Sequence, residues 1–289
     1  MSRAPIDRGP GRRDRRPMPV LLPFRPPRQE EAGRWGGGTT ALVLALGALP
    51  ALLIGQAAAA PAPEPLLATL WKWTPVLAGG FLLNIGISVL AMAIGTVAGA
   101  FLGLMQISLL PPVRAGSWAA TQFFRNAPWL VLLFYCILLL PFELRLGGVV
   151  IPMPGWAKAV VGLALPVMAN MSEIVRGAVQ SIPSGQWDGA KSLALTRRQT
   201  MWLVILPQCV KRMLPPWMNL YAILTMATPL VSIVGVQEAM NLTRAALNAE
   251  GRTELLIPMY LYLLVWFFCY CFPIARATQA LERRFAVEG

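Results

Sequence analysis

The chain has 289 residues, of which 56% are hydrophobic and only 13% are charged. Soluble domains carry about 25% charged residues, so this composition excludes an ordinary soluble domain and predicts a membrane protein. The net charge is +12, and the chain contains no histidine, which excludes an imidazole metal ligand or a histidine general base. The four cysteines lie in or beside apolar runs and are interpreted as small hydrophobic side chains.

Residues 1–38 form an arginine-rich segment with nine arginines and few apolar side chains to bury, which is typical of a disordered tail. The run of residues 12–16 would suit a twin-arginine export signal, but no clear cleavage site follows it. We favour the interpretation that these arginines are positive charges retained on the cytoplasmic side. An extra N-terminal span and an outer linker are predicted for residues 39–75.

Six apolar segments are long enough to cross a hydrocarbon core of about 30 Å as helices. They are Thr39–Ala60, Val76–Ile107, Trp118–Pro141, Trp156–Gln180, Leu214–Val236 and Leu255–Ala275. The predicted fold class is therefore an all-α polytopic membrane protein. With the N-terminus inside, 20 of the 25 lysines and arginines fall on the cytoplasmic side. The positive-inside rule then predicts that both termini are cytoplasmic.

The longest polar stretch after the tail, residues 173–213, lies on the cytoplasmic side in this topology. Pro183 is expected to end the fourth span, and Ser184 can cap a new helix. Thr196 and Gln199 have the spacing of a capping box, and an apolar run follows them up to Pro207.

The helix predicted after Pro183 is short and amphipathic. Its apolar face is expected to contain Trp187, Ala190, Leu193 and Ala194. A helix of this kind can dock in a groove on a partner protein or lie on the lipid surface, and its composition favours neither.

The spacing of Asp188-Gly189-Ala190, Ala194, Val204 and Leu206-Pro207 resembles the coupling loop of binding-protein-dependent ABC importers. That motif is Glu-Ala-Ala, three residues, Gly, nine residues, Ile, one residue and Leu-Pro. The match is degenerate at four positions. Ala194 replaces the glycine, and alanine resists the positive φ that glycine adopts in turns.

Flanking motifs resemble the polar amino-acid branch of these permeases over residues 76–283, followed by a short C-terminal tail, residues 284–289. The resemblance implies a type I importer core of five helices, here with one extra N-terminal helix, in a bacterial inner membrane. The motifs are residues 124–128, 130–131, 173–177, 180–183, 185–186, 206–208, 214–215 and Asn219.

The resemblance implies a permease subunit that forms the translocation path for a polar amino acid. The chain has no Gly-x-x-x-x-Gly-Lys-Ser/Thr sequence, so a separate ATPase dimer would use ATP and Mg²⁺ and dock on residues 184–200. A second permease subunit, identical or related, and an extracytoplasmic amino-acid-binding protein are also implied. The coupling residues assigned in this way are Ser184, Gly185, Gln186, Trp187, Asp188, Gly189, Ala190, Leu193, Ala194 and Thr196.

Two departures from the family pattern concern the solute. Met226 stands where the family often has a lysine, two residues before Thr228, and Asn170 replaces an aromatic residue. Polar groups in a dry bundle face partners or a water-filled path, so Asn170, Met226 and Thr228 are predicted to line the solute path. The alternative is that Asn170 and Thr228 bond neighbouring helices.

Charged residues near the span ends have structural interpretations. Glu173 and Arg176 are spaced to pair on one helix face, and a structural ion pair is favoured over an inner gate. Arg125 is expected to reach the interface from the start of the third span. Glu143 and Glu238 lie near predicted outer ends, where solvation is favoured over contact with a binding protein.

Two other classes of function are considered. A stand-alone secondary transporter would need related halves or buried ion-coupling carboxylates, and neither is clear in the sequence. A membrane-embedded transferase would need a nucleophile with a base, or clustered metal ligands, and the absence of histidine and the few acidic residues argue against it.

Overall fold

The computed structural model describes residues 65–146 and 149–285, most of which are helical. Within this part of the chain, four helices are long and apolar enough to cross a membrane, or five if a bent pair counts as one span. These correspond to the second to sixth predicted spans. The predicted first span, Thr39–Ala60, and the arginine-rich tail lie outside the described residues.

The helices are α1 (Leu66–Gln106), α2 (Pro111–Asn126), α3 (Trp129–Leu139), α4 (Gly155–Gln180), α5 (Ser184–Ser192), α6 (Arg197–Gln199), α7 (Leu206–Ala227), α8 (Ala239–Glu250) and α9 (Leu256–Phe285). A π-helix, Thr200–Ile205, joins α6 to α7, and 3₁₀ segments occupy Thr228–Val234 and Thr253–Leu255. Strands β1 (Glu143–Leu146) and β2 (Val149–Pro152) form an antiparallel hairpin in which Glu143 pairs with Pro152.

Helix α1 begins at Leu66, well before the expected start at Val76. Trp73, expected in an outer linker, instead donates from its indole Nε1 to Glu250 Oε1 at 2.8 Å, and Lys72 Nζ donates to the same oxygen at 2.9 Å. These bonds hold the first turns of α1 against α8. They also keep the pKa of Glu250 below its usual value.

The third predicted span is not one continuous helix. Helix α2 ends at Asn126, α3 starts at Trp129, and the two are bent by 104°. Ala127 between them is extended, with ψ at 135°. A residue before proline avoids the α conformation, so Pro128 forces the break. Pro128 lies inside the apolar run Trp118–Pro141, where a proline is tolerated in a helical bundle and often marks a kink.

The main packing interface is between α1 and α4, and three glycines make it close. A Cβ added at Gly99 would lie 2.5 Å from the carbonyl oxygen of Met168, and one at Gly103 would lie 2.7 Å from that of Ser172. A Cβ at Gly95 would overlap the side chain of Val167. Glycines four residues apart let two membrane helices approach backbone to backbone.

The fifth span begins earlier than Leu214, because the helical run from Arg197 continues into α7. Pro207 does not interrupt it. The proline is the second residue of α7 and directly follows the change from π-helical to α-helical hydrogen bonding. Helix α8, between the fifth and sixth spans, was not predicted, and it is flanked by two glycines with positive φ, Gly235 at 86° and Gly251 at 63°.

Candidate coupling surface and translocation helices

Helix α5 starts at Ser184, one residue earlier than it would if Ser184 were its N-cap. Pro183 occupies the N-cap position with φ −56° and ψ 140°, and no side chain caps the helix. The expected capping role of Ser184 is therefore wrong, since Ser184 is the first helical residue. The proline ring already fixes the φ that leads into the helix.

Helix α5 ends in a Schellman motif in which an alanine takes the left-handed position. Leu195 N donates to Ala190 O at 3.1 Å, and Ala194 N donates to Lys191 O at 2.8 Å. Ala194 has φ +54°. The turn geometry of the glycine in the family motif is thus kept, although alanine is strained in this conformation.

We expect Ala194→Gly to raise the free energy of unfolding by roughly 0.5–1 kcal/mol, because the relief of strain exceeds the added entropy of the unfolded chain. The matched control is Ala277→Gly, at an exposed position in α9. There glycine costs roughly 1 kcal/mol of helix propensity. Denaturant unfolding of the purified chain measures both, and a loss of stability in both variants would contradict the strain argument.

The predicted capping box after α5 is confirmed. Gln199 N donates to Thr196 Oγ1 at 3.3 Å, and Thr196 N donates to Gln199 Oε1 at 2.9 Å. The box starts a new helical run at Arg197, five residues after α5 ends at Ser192. Arg197 and Arg198, inside the box, are both exposed.

The apolar side chains of α5 do not share one outward face. Ala190 is 3% exposed, and Trp187 packs against an inner cluster that includes Ile182 and Ile205. Leu193 is 75% exposed, on a surface shared with polar and small residues. The expectation of a single docking face with Trp187 and Ala190 is wrong, because Ala190 is buried and Trp187 packs against an apolar surface supplied by α4 and the π-helix. The exposed positions of α5 are Ser184, Gly185, Gln186, Asp188, Gly189, Lys191 and Ser192.

Helix α5 is hydrogen-bonded to α7, and α7 is hydrogen-bonded to the end of α4. Gln208 Nε2 on α7 donates to Gln186 Oε1 at 3.1 Å. Arg212 Nη1, also on α7, donates to Ser181 O at 3.0 Å, just after α4 ends. A displacement of α5 would therefore be passed to α4 and α7 together.

The three charged residues predicted as a gate or ion pair lie together. Arg176 Nη2 donates to Glu173 Oε2 at 2.6 Å, which confirms the pair within α4. Arg125 Nη1 on α2 approaches the same oxygen at 3.7 Å. Instead of only reaching the interface, Arg125 links α2 to α4 at the end of α4 that leads to α5.

A buried polar triad lies next to this charge cluster and was not predicted. Gln106 Nε2 on α1 donates to Thr121 Oγ1 at 2.9 Å and to Ser172 Oγ at 3.1 Å. The two hydroxyls are 2.9 Å apart. The triad ties α1, α2 and α4 at one level. The sequence feature that could have indicated the triad is Gln106, a polar residue in the last turn of an apolar span.

The three predicted solute-path residues have different surroundings. Thr228 is fully buried and accepts from Asn84 Nδ2 at 3.0 Å. Asn170 Nδ2 donates to Pro166 O of its own helix at 2.8 Å. Met226 is 57% exposed and lines a mostly apolar cavity of about 470 Å³ beside α9. In this conformation, no single surface contains all three.

Asn84 and Glu238 form a buried network that the sequence interpretation missed. Glu238 is fully buried, which corrects the expectation of an exposed outer residue. Its carboxylate caps α8, accepting from Asn241 N at 2.9 Å and Met240 N at 3.0 Å, and it also accepts from Asn84 Nδ2 at 2.8 Å. Asn84 Oδ1 in turn accepts from Ala239 N at 3.1 Å. The amide thus bridges α1, α8 and Thr228.

The family described as binding-protein-dependent transport system inner membrane component matches residues 95–287. The match begins at Gly95, the first of the three glycines that pack α1 against α4, and it includes α5 and all later spans. The chain belongs to this family. It is a multi-span inner-membrane permease with a mostly helical type I importer fold, and it is a transport subunit rather than an enzyme.

Relatives of the permease are similar over most of its length. The inner membrane amino-acid ABC transporter permease protein YhdY of Escherichia coli (strain K12) is 31% identical, over 72% of this chain and 56% of that protein. The L-cystine transport system permease protein TcyB of Bacillus subtilis (strain 168) is 30% identical, over 82% of this chain and 95% of that protein.

Solved structures share the permease fold. A crystal structure of an amino acid ABC transporter with histidines matches with a TM-score of 0.66 and 24% identity, over 77% of this chain and all of that chain. The MetNI methionine ABC transporter in an inward-facing conformation matches with a TM-score of 0.60 and 18% identity, over 78% of this chain and 99% of that chain.

Proposed function

We propose that this chain is the transmembrane permease subunit of an ATP-driven importer for polar amino acids. The observation that supports this most directly concerns residues 184–200, the coupling segment. In it, α5 exposes a polar surface while Trp187 packs onto α4 and the π-helix. The relatives named as amino-acid permeases support the solute class. The chain forms the translocation path and leaves ATP hydrolysis to another protein.

The proposed assembly contains an ATPase dimer that uses ATP and Mg²⁺, a second permease subunit and an extracytoplasmic amino-acid-binding protein. ATP binding closes the ATPase dimer and displaces α5. The bonds from Gln186 to Gln208 and from Ser181 to Arg212 pass this displacement to α7, and the packing of Trp187 passes it to α4. The two permease subunits then rock between inward-facing and outward-facing states.

A crosslinking experiment tests the contact with the ATPase. We expect Asp188→Cys to form a crosslink to a protein that contains a Gly-x-x-x-x-Gly-Lys-Ser/Thr sequence, because the Asp188 side chain is 67% exposed on α5. The measurement is mass spectrometry of the crosslinked product from membranes that contain the native complex.

The matched control is Ala190→Cys, which lies two residues away on the buried side of α5. It should give no crosslink. If Gly185, Asp188 and Gly189 all fail as cysteine positions, the docking of an ATPase on α5 is ruled out. Transport of labelled polar amino acids by the reconstituted complex tests the solute class separately.

We also propose that both termini are cytoplasmic, from the lysine and arginine distribution. A reporter enzyme that is active only in the periplasm, fused after Gly289, is expected to be silent. The same reporter fused at the hairpin between β1 and β2 should be active. The reverse pattern would invert the proposed topology.

Two site assignments belong to this proposal. The cluster of Arg125, Glu173 and Arg176 is positioned to link the α2–α4 contact to α5, which suits an inner gate as well as a structural tie. Asn170, Met226 and Thr228 are proposed to contact the solute in a conformation that opens the bundle. Thr228 would then have to exchange its bond to Asn84 for a contact with the solute.

A further inference from the structure

A cleft of about 600 Å³ lies between the end of α1, the start of α2 and the π-helix. Its volume is within the roughly 300–1,000 Å³ of small-molecule sites. The walls are mostly apolar and include Phe101, Met105, Leu109, Val113, Met201 and Trp202. Phe101 and Leu109 are each about two-thirds exposed, and Trp202 is 59% exposed. The cleft is therefore open along its apolar side.

Two arginines complete one side of this cleft. Arg197 and Arg198 line it, and both are exposed. Arg197 Nη2 donates to Ile107 O at 3.1 Å, which holds the guanidinium across the gap between α6 and the end of α1. That bond uses one of five guanidinium N–H groups. Within the described residues, neither arginine forms an ion pair with a carboxylate.

The chemistry of the cleft fits an amphipathic anion. An open apolar wall in a membrane helix suits acyl chains, whereas two guanidinium groups at the rim suit a phosphate, which arginine binds with paired N–H donors. Trp202 is the kind of residue that lies at the boundary between hydrocarbon and headgroups. Arg197 and Arg198 are at the same end of the bundle as the exposed polar residues of α5.

We propose that this cleft binds one anionic phospholipid, with its phosphate on Arg197 and Arg198 and an acyl chain along Phe101, Leu109 and Trp202. The lipid would contact the π-helix, which continues directly into α7 and lies beside α5. A soluble protein partner fits less well, because the cleft wall is mostly apolar and open.

Binding of phosphatidylglycerol to the purified full-length chain tests the site. Native mass spectrometry in detergent, with increasing phosphatidylglycerol, gives the affinity. The double variant Arg197→Gln/Arg198→Gln is expected to lose roughly tenfold or more in affinity, because each basic residue near an anionic lipid contributes about fivefold. The matched control Lys211→Gln/Arg276→Gln removes the same charge from exposed positions that do not line the cleft, and it should change the affinity less than twofold.

A second variant separates a cleft from general charge attraction. Val113→Trp fills the apolar wall and leaves both arginines in place, and it should also weaken phosphatidylglycerol binding. Phosphatidylcholine should bind weakly to every variant, and inorganic phosphate should not compete. Equal losses in the arginine and control pairs, unchanged binding in Val113→Trp, or competition by phosphate would each overturn the proposal. An unchanged melting temperature confirms that each variant is folded.

Discussion

We expect Gly99→Ala to lower the free energy of unfolding by roughly 1–3 kcal/mol, the usual cost of forcing an extra group into a packed interface. The added Cβ would lie 2.5 Å from the carbonyl oxygen of Met168 and 2.6 Å from Met171 Cβ. A backbone carbonyl cannot rotate away as a side chain can. Helices α1 and α4 would have to separate along the length of their glycine contact.

The same substitution elsewhere on α1 provides the control. A Cβ at Gly86 meets no atom within 4 Å. We expect Gly86→Ala to raise stability by up to about 1 kcal/mol, since alanine favours the helix and restricts the unfolded chain. Denaturant unfolding of the purified chain measures both variants. Equal effects would mean that the glycine spacing reflects composition rather than close packing.

Local spacing explains the features that the sequence predicted correctly. The capping box at Thr196 and Gln199 and the pair of Glu173 with Arg176 each depend on residues three apart, and helix geometry brings such residues together wherever the helix lies. The apolar runs likewise predicted five spans of the described chain. Family resemblance supplied the location of the coupling segment and the proposed role of its exposed positions.

Long-range contacts explain most of what was missed. Glu238 is 154 residues from Asn84, and no periodicity in either segment indicates that they meet. The orientation of α5 was predicted wrongly because Trp187 looked available for a partner, whereas Ile182 and Ile205 of the same chain cover it. The break at Pro128 was visible in the sequence. There, apolar length was given more weight than the conformational restriction before a proline.

The second large effect is expected at the buried network around Glu238. We expect Asn84→Leu to cost roughly 3 kcal/mol, because it removes a donor from a buried carboxylate and leaves Ala239 N without its acceptor. The control Asn126→Leu changes an exposed asparagine at the end of α2 and should stay within about 0.5 kcal/mol of wild type.

A double-mutant cycle distinguishes the network from simple loss of packing. Glu238→Gln keeps the shape of the side chain. Its amide NH₂ group, however, would face one of the N–H groups that donate to the Glu238 carboxylate in the wild type. If Asn84 and Glu238 act as a unit, the cost of the double variant Asn84→Leu/Glu238→Gln should differ from the sum of the single costs by more than about 0.5 kcal/mol. Additive losses would show that the two residues stabilise the fold independently.

The pH dependence of stability provides an independent test of the same carboxylate. Burial raises the pKa of Glu238, more than the three donated hydrogen bonds lower it. The folded state then binds this proton more tightly than the unfolded state, whose glutamate pKa is about 4.3. The contribution of Glu238 to stability should therefore decrease as pH rises from about 4.3 through the folded pKa.

Lys72 and Trp73 keep the pKa of Glu250 low, so the contribution of Glu250 to stability increases with pH. The pH dependence of wild-type stability alone therefore does not isolate the contribution of Glu238. The difference between wild type and Glu238→Gln isolates Glu238, and it should decline with rising pH over that window. Asn84→Leu removes a bond that favours the charged form, and it should extend the decline to higher pH. A difference that is flat, or that grows with pH, would mean that Glu238 is not held in a desolvated site at the start of α8.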